Sequence, residues 1–317
     1  MLNLGELQRR VIDKGQFESL ENFYDIGASF IKLLAETKPT KITSPTPPHN
    51  YIFYQFGEEF GHKITRPLNG NLFTANSDQF KNEYEIFLSL INDLKKYESG
   101  AADLPKHREF IVSDGLNRVI YTIQQSIGSI GDSFENENQS RKRIGQLFEK
   151  MILLILKELS LECESRTIKI PLPNHSEFAM SYELDLVFSR GKAIVATENA
   201  LIQPHEIVGS VKTTSKDRMD KIFLDKFMIS RLIGHDVSLI AIFLHDVQRA
   251  KKAENDFGIN STFKTNHFLG YSLALNRLDG VYYVDPLPSM IAQEKLRNEI
   301  RNFSQFLLYD IWSLTSI

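Results

Sequence analysis

The feature that most constrains the fold is the order of apolar runs after about residue 140. The run from Ser140 to Leu159 is apolar nearly all round in its second half, which is typical of a helix buried against a sheet. It is followed by β-rich runs at 166–172, 182–188 and 206–212, a helical run at 217–233, and further β-rich runs at 237–244 and 280–285. This alternation predicts an α/β domain with a mixed central β-sheet flanked by helices.

The N-terminal part of the chain has a different pattern. Helical periodicity extends over residues 1–38, and a proline-rich stretch from Lys41 to Asn50 follows it. We interpret this stretch as a linker. The sequence therefore predicts two domains, a mainly helical N-terminal region at residues 1–135 and the α/β domain at residues 136–317.

Charge and cysteine content exclude several classes of protein. The chain has 37 Lys and Arg against 40 Asp and Glu, a net charge of −3, which excludes a wholly basic nucleic-acid binder. The one cysteine, Cys163, cannot form a disulfide framework, and we expect it to be packed and inert. No apolar run approaches the ~20 residues of a membrane span, and residues 1–10 lack the pattern of a secretory signal. We therefore expect a cytoplasmic protein that crosses no membrane.

Two charged residues lie at the ends of neighbouring apolar strands. Asp185 lies in the run 182–188, and Lys212 closes the run 206–212 with Ser210 on the same face. A carboxylate and an ammonium at the end of an apolar sheet are costly to desolvate unless a partner or ligand, often a metal ion with a phosphate, compensates. The pair is therefore either a partly exposed salt bridge at the strand ends or part of a ligand site.

The polar residues after the second of these strands suit the edges of G·C base pairs. Ser215 is expected to cap a helix whose exposed first turn carries Lys216, Asp217 and Arg218. Lysine and arginine donate to guanine O6 and N7 in the major groove, and a carboxylate accepts from cytosine N4. Arg218 and Asp225, seven residues apart, share one helix face. The alternative is a solvated helix start with incidental charges.

Together these residues resemble the PD-(D/E)XK nucleases, in the variant used by type II restriction endonucleases of the CCGG group. The pattern consists of Asp185, of Ser210 and Lys212 on the next strand, and of Asp225 on the following helix. Most PD-(D/E)XK enzymes carry an acid two residues before the lysine, where this chain has Ser210. The CCGG group supplies the missing carboxylate, usually a glutamate, thirteen or fourteen residues after the lysine, and Asp225 is thirteen residues after Lys212. The resemblance covers about residues 140–250.

The polar triplet resembles one part of this group more closely. Members that read CC and GG separated by one base carry a basic, an acidic and a basic residue four, five and six positions after the lysine. Lys216, Asp217 and Arg218 occupy those positions. Members that read uninterrupted CCGG use positions four, six and seven, and the seventh position here is Met219, which cannot donate. The resemblance therefore implies a palindromic, CCNGG-like target with CC and GG halves, and cleavage that leaves 5′ overhangs.

The resemblance also implies the roles of the catalytic residues. Asp185 and Asp225 would be ligands of Mg²⁺, and Lys212 would position or activate the attacking water and stabilise the developing charge. Glu149 resembles a helix glutamate that completes a second metal position in related enzymes, and it is otherwise an ordinary acid of an amphipathic helix. The implied partners are double-stranded DNA, a second copy of the chain in a homodimer, and a cognate DNA methyltransferase of the same system without direct contact. The N-terminal region would contact flanking DNA or mediate dimerisation.

Other readings stay open at this point. A repair or mobile-element nuclease could use the same core, a DNA-binding module could carry an inactive site, and a protein–protein scaffold would bind no DNA.

If a central base is flipped out of the target, it needs a side chain to stack on. The aromatic candidates, which are alternatively core residues, are Tyr51, Phe53, Tyr54, Phe56 and Trp312. Gly128 and Gly131 lack the lysine of a phosphate-binding loop, and we interpret them as part of an ordinary turn.

Overall fold

The computed structural model describes residues 3–96, 104–252 and 255–316. The α-helices are α1 Leu4–Ile12, α2 Leu20–Thr37, α3 Ser77–Leu94, α4 Arg108–Val112, α5 Gly115–Gly131, α6 Glu137–Glu158, α7 Met219–Ile233, α8 Thr265–Ala274, α9 Pro288–Ala292, α10 Glu294–Arg297, α11 Phe303–Gln305 and α12 Ile311–Leu314. The strands are β1 Thr40–Thr43, β2 Tyr51–Gln55, β3 Leu68–Asn69, β4 Glu162–Leu172, β5 His175–Ser189, β6 Ile207–Lys212, β7 Leu239–His245, β8 Val247–Lys252, β9 Asn255–Ser261, β10 Gly280–Asp285 and β11 Ile300–Asn302.

The chain forms two compact units, each built from several segments of sequence. The first unit consists of Met1–Leu90, Leu104–Met151 and Val247–Thr262. The second unit consists of Ile91–Asp103, Ile152–Asp246 and Phe263–Ile317. Helix α6 begins in the first unit and ends in the second.

The second unit is organised around a six-stranded sheet with the order β11-β10-β7-β6-β5-β4. Strands β6, β7, β10 and β11 are parallel to one another, and β5 is antiparallel to both β4 and β6. The carboxyl ends of β6, β7 and β10 therefore meet at one edge of the sheet, which also faces the start of α7. This mixed sheet with flanking helices confirms the α/β fold class that the order of apolar runs predicts.

One face of this sheet packs against α7 and α8. Apolar residues of the strands form a continuous buried cluster with those of the two helices, including Val208, Phe243, Phe223 and Phe268. The rotation of α7 is also fixed by Lys226, whose buried ammonium donates to Asp279 Oδ2 at 2.7 Å and to the carbonyl oxygen of Arg277 at 2.6 Å. Because Asp225 directly precedes Lys226 on the helix, this anchor also fixes the side of α7 on which Asp225 lies.

The first unit contains a small sheet that the sequence pattern does not predict. Strand β1 pairs antiparallel with β2, with Thr40 opposite Gln55 and Thr43 opposite Ile52, and β3 pairs with the other edge of β2. The interpretation of residues 41–50 as a linker is therefore wrong. The prolines of this stretch lie in the connection of a hairpin, and the aromatic run after it forms the buried strand β2.

The first unit also receives a hairpin from late in the sequence. Strands β8 and β9 pair antiparallel, with Val247 opposite Ser261. The N–H of Ile259 donates to Thr46 Oγ1 at 3.2 Å, and the ring of Phe257 lies 5.6 Å from the ring of Phe53. The hairpin thus becomes part of the unit that contains β1 and β2, although about 200 residues separate them along the chain.

Two glycines predicted to form a turn lie instead in the last turns of α5. A β-carbon at Gly128 would come within 2.2 Å of the guanidinium of Arg66, and one at Gly131 within 2.5 Å of Ile144. The Arg66 guanidinium reaches Asp132 across this helix and forms a bidentate ion pair with it. These glycines therefore permit close packing around α5 rather than a change of chain direction.

None of the helices in the described part of the chain combines the length and the apolar character needed to span a bilayer.

Candidate active site

A β-bulge in β5 aims Asp185 out of the regular strand. The pairs Arg166–Leu184 and Glu164–Val187 bracket one residue on β4 but two on β5, which are Asp185 and Leu186. Such an extra residue bends the strand and redirects a side chain, which is why bulges are common next to active sites. Here the bulge lies where the backbone pairing between β5 and β6 ends, since that pairing covers only residues 186–188 of β5.

The Asp185 carboxylate accepts hydrogen bonds from β6 at the point where the backbone pairing of β5 with β6 has ended. Its Oδ2 accepts from the backbone N–H of Val211 at 2.9 Å and from the hydroxyl of Ser210 at 3.3 Å. The same oxygen forms an ion pair with the ammonium of Lys212. The side chains of Asp185 and Lys212 are 17% and 25% exposed, so the pair is partly desolvated but open to a ligand. The structure thus brings together the strand-end acid and base, as the sequence predicts.

This pair lies on the side of the sheet that packs against α7. Val208 of β6 belongs to the core cluster that contains Phe223 of α7, and Ser210 and Lys212 lie on the same face of the strand as Val208. Asp225 of α7 is near enough to β5 to act on Tyr182, whose pKa is raised by burial and by the negative charge of Asp225. Asp225, predicted as the second metal ligand, thus lies on the helix that packs against this face of the sheet.

Asp225 is held by a neighbour on its own helix. Its Oδ2 forms an ion pair with the ammonium of Lys221, one helical turn earlier. The side chain of Lys221 is 64% exposed and that of Asp225 28% exposed. An exposed ion pair of this spacing contributes only about 0.3–0.5 kcal/mol in water, so Lys221 holds the Asp225 carboxylate weakly.

The donor atoms of Asp185 fit a hard cation such as Mg²⁺. All hydrogen bonds of this carboxylate within the described residues use Oδ2, so Oδ1 keeps its lone pairs for a metal ion. Carboxylate oxygens are the protein ligands that Mg²⁺ prefers, usually one or two together with water and substrate phosphate. Over the described ranges, no group of three or more His, Cys, Asp and Glu side chains could hold a metal ion. A site here would therefore depend on few protein ligands and on the substrate.

Glu149 lies on α6, in the part of this helix that belongs to the first unit. Its side chain is half-buried, and it has an interaction with a neighbouring group. Its role at a second metal position stays a prediction.

The predicted base-reading triplet forms a turn before α7 rather than the first turn of the helix. The helix begins at Met219, and Asp217 has a left-handed backbone with φ of 53°. Lys216, Asp217 and Arg218 are all exposed, so the triplet is accessible as the sequence predicts. The expected capping role of Ser215 is wrong, because Arg218 is the N-cap of α7 and no side chain of the described residues accepts from the first N–H groups of this helix. The Ser215 hydroxyl instead donates to Asp246 Oδ2.

The aromatic candidates for stacking on a flipped base are core residues. Tyr51, Phe53, Tyr54 and Phe56 lie on or next to β2, and Trp312 lies on α12. All five side chains are buried. The alternative interpretation of this aromatic stripe, as core, is therefore the one that the structure shows.

The residues that hold the exposed turn in place are not among those that the sequence pattern predicts. Asp246 is fully buried directly after β7, and it accepts from Ser215 and from the hydroxyl of Tyr283. The available signal was an acid two residues after the strongly apolar run 237–244, where an unpaired carboxylate would be costly.

The architecture is that of a known restriction endonuclease. The structure of the type IIP restriction endonuclease Kpn2I superposes with a TM-score of 0.70 over 98% of this chain and 97% of that chain, at 16% sequence identity. A structure of the restriction endonuclease PspGI with substrate DNA matches 63% of this chain and 80% of that chain with a TM-score of 0.39 and 13% identity, which is too low to compare folds. The likeness to Kpn2I shows a shared fold.

No protein-family profile matches the sequence. No curated protein matches it either.

Proposed function

We propose that this protein is a Mg²⁺-dependent endonuclease that cleaves double-stranded DNA at a specific sequence, as type II restriction enzymes do. The observation that carries the proposal is the Asp185–Lys212 pair at the open end of the sheet, with one carboxylate oxygen unused. Its support is the fold shared with Kpn2I, together with the resemblance of the residue pattern to PD-(D/E)XK nucleases. These two lines of support are independent, because the first compares backbone folds and the second compares the spacing of residues along the sequence.

The residues of the pair suit the hydrolysis of a phosphodiester. This reaction needs an attacking water, neutralisation of charge at phosphorus and assistance to the leaving oxygen. Lys212 would orient the water and stabilise the developing negative charge from a partly desolvated position. Val211 and Ser210 hold the Asp185 carboxylate so that Oδ1 stays available.

Asp185 and Asp225 would hold the metal ion, and Glu149 would serve a second metal position. A bound Mg²⁺ supplies charge neutralisation at the phosphate and polarisation of a water molecule. The Lys221 ammonium would compete with the metal ion for the Asp225 carboxylate, and its exposure keeps that competition weak.

The exposed turn before α7 would read the target. Lys216 and Arg218 would donate to guanines, and Asp217 would accept from cytosine N4. Following the spacing of these residues after Lys212, we propose a palindromic site with CC and GG halves separated by one base, cut to leave 5′ overhangs. A palindrome requires two copies of the turn, so the active form would be a homodimer. We further propose that it acts in the cytoplasm, beside a methyltransferase that protects the same site.

Digestion of a fully sequenced plasmid with Mg²⁺, followed by sequencing of the ends, tests this function. Discrete fragments whose ends share one palindrome with 5′ overhangs are expected. Cleavage at many unrelated sequences would favour a repair or mobile-element nuclease. Tight, salt-dependent binding without cleavage would indicate an inactive DNA-binding module, and the absence of both would overturn the proposal.

A further inference from the structure

The exposed turn that carries Lys216, Asp217 and Arg218 is attached to the protein through Ser215. The carbonyl oxygen of Ser215 accepts from the N–H of Arg218 at 3.0 Å and from that of Met219 at 3.1 Å. The N–H of Ser215 donates to Asp246 Oδ1 at 2.8 Å, and its hydroxyl donates to Oδ2 at 2.5 Å. One serine therefore connects the whole turn to a single carboxylate.

That carboxylate is fully buried and is oriented from the core. The hydroxyl of Tyr283 on β10 donates to Asp246 Oδ2 at 2.7 Å. The ring of Tyr283 is fully buried and lies 5.0 Å from the ring of Phe243 on the neighbouring strand β7. Burial and the charge of Asp246 raise the pKa of Tyr283 well above its usual range, so its hydroxyl remains a donor. The chain of contacts runs from the sheet through Tyr283 and Asp246 to Ser215.

We propose that Asp246, oriented by Tyr283, is a positioning residue that sets the geometry of the exposed turn and so determines how sharply the protein discriminates its target sequence. This inference rests on the proposed function. Hydrogen bonds to base edges need side chains placed to within about 0.5 Å, and a turn at the surface has little packing of its own to achieve this. The left-handed backbone of Asp217 also needs support from surrounding structure.

The same anchor places the turn relative to the catalytic lysine. The N–H of His245, directly before Asp246, donates to the carbonyl oxygen of Thr213, directly after Lys212, at 3.2 Å. A shift of Asp246 would therefore move the turn while the paired strands β6 and β7 keep Lys212 in place. For this reason we expect loss of the anchor to affect discrimination more than the rate of cleavage at the correct site.

The neighbouring tyrosine on β10 offers a matched control. Tyr282 is also fully buried, and its hydroxyl donates to the carboxylate of Asp310 at 3.0 Å on the opposite face of the strand. Tyr282→Phe and Tyr283→Phe each remove one hydroxyl from a buried tyrosine–aspartate hydrogen bond and leave the ring in place. The two substitutions should therefore lower the melting temperature by similar amounts, and only Tyr283→Phe should affect the turn.

The test uses the full chain with Mg²⁺ and the site that plasmid digestion reveals. The measured quantity is kcat/KM for a duplex with this site divided by kcat/KM for duplexes with one base pair changed. We expect Tyr283→Phe and Ser215→Ala each to lower this ratio about 3- to 10-fold, the range given by loss of one buried hydrogen bond. The double variant should lose less than the product of the single effects, because both act through Asp246. Tyr282→Phe should leave the ratio unchanged.

Each result either supports or overturns the positioning role of Asp246. If Tyr283→Phe discriminates as well as the wild type, or if Tyr282→Phe lowers the ratio equally, the positioning role is overturned while the proposed function stands. If the wild-type protein cleaves no DNA, the proposed function itself fails and the inference fails with it. A Ser215→Ala protein that melts at the wild-type temperature but discriminates poorly would support the inference independently of any change in stability.

Discussion

The ammonium of Lys212 and the carboxylate of Asp185 are joined through one carboxylate oxygen, Oδ2, which also accepts from the N–H of Val211. This leaves the second oxygen of Asp185 for another partner. In the proposed site, Oδ1 would hold the cation while Oδ2 is fixed by the backbone of β6.

Removal of the lysine that competes for Asp225 should strengthen metal binding. In Lys221→Ala, we expect the Mg²⁺ concentration that half-saturates cleavage to fall about twofold, since an exposed pair of this spacing contributes about 0.3–0.5 kcal/mol. Titration of the cleavage rate with Mg²⁺ measures this. Lys32→Ala, which removes the same type of pair with Glu36 in α2, is the control and should leave the midpoint unchanged. An unchanged or higher midpoint for Lys221→Ala would argue against Asp225 as a ligand.

Gly128 should tolerate a β-carbon less well than a second helical glycine, because Arg66 would have to shift. Gly128→Ala would place a β-carbon within 2.2 Å of the Arg66 guanidinium and break its ion pair with Asp132, at a cost of about 1–3 kcal/mol. Gly145 on α6 has open space around it, so Gly145→Ala should stabilise the protein by about 0.4–1 kcal/mol. Chemical denaturation of both variants measures the two changes. A Gly128→Ala protein as stable as the wild type would show that Arg66 can move aside.

Cys163 should be unreactive in the folded protein. It is fully buried in β4, and burial raises the pKa of its thiol to about 12. At pH 8 the thiolate fraction is then on the order of 10⁻⁴, whereas an ordinary cysteine is about a quarter ionised. Iodoacetamide at pH 8 should leave the native protein unlabelled and modify it fully in denaturant. Rapid labelling of the native protein would show that this strand opens.

The strands and helices of the α/β core could be predicted because their apolar runs are long and their periods distinct. The runs 182–188 and 206–212 lie within β5 and at β6, and the convergence of Asp185 with Lys212 follows from the pairing of those strands. The polar triplet could be found for the same reason, since it follows directly where a strand ends. In these places local pattern and tertiary structure agree.

Other features depend on contacts between distant segments, which periodicity does not record. The prolines at 45–48 are typical of a linker, and only the pairing of β1 with β2 shows a hairpin. Gly128 lies inside a helix, where Arg66 occupies the space that a β-carbon would take, and Ser215 anchors a turn because Asp246, 31 residues later, lies beside it. The bulge at Asp185 likewise depends on the register of β4 against β5.

The most direct test of the account is the rate at which Lys212→Ala cleaves a duplex that carries the target site, measured beside its affinity for that duplex. Lys169→Ala is the matched control, since it removes a lysine from an exposed ion pair with Glu198 in the same unit. We predict that Lys212→Ala loses at least about 100-fold in cleavage rate while it still binds the site, and that Lys169→Ala cleaves normally. Cleavage by Lys212→Ala at the wild-type rate would contradict the assignment of the active site.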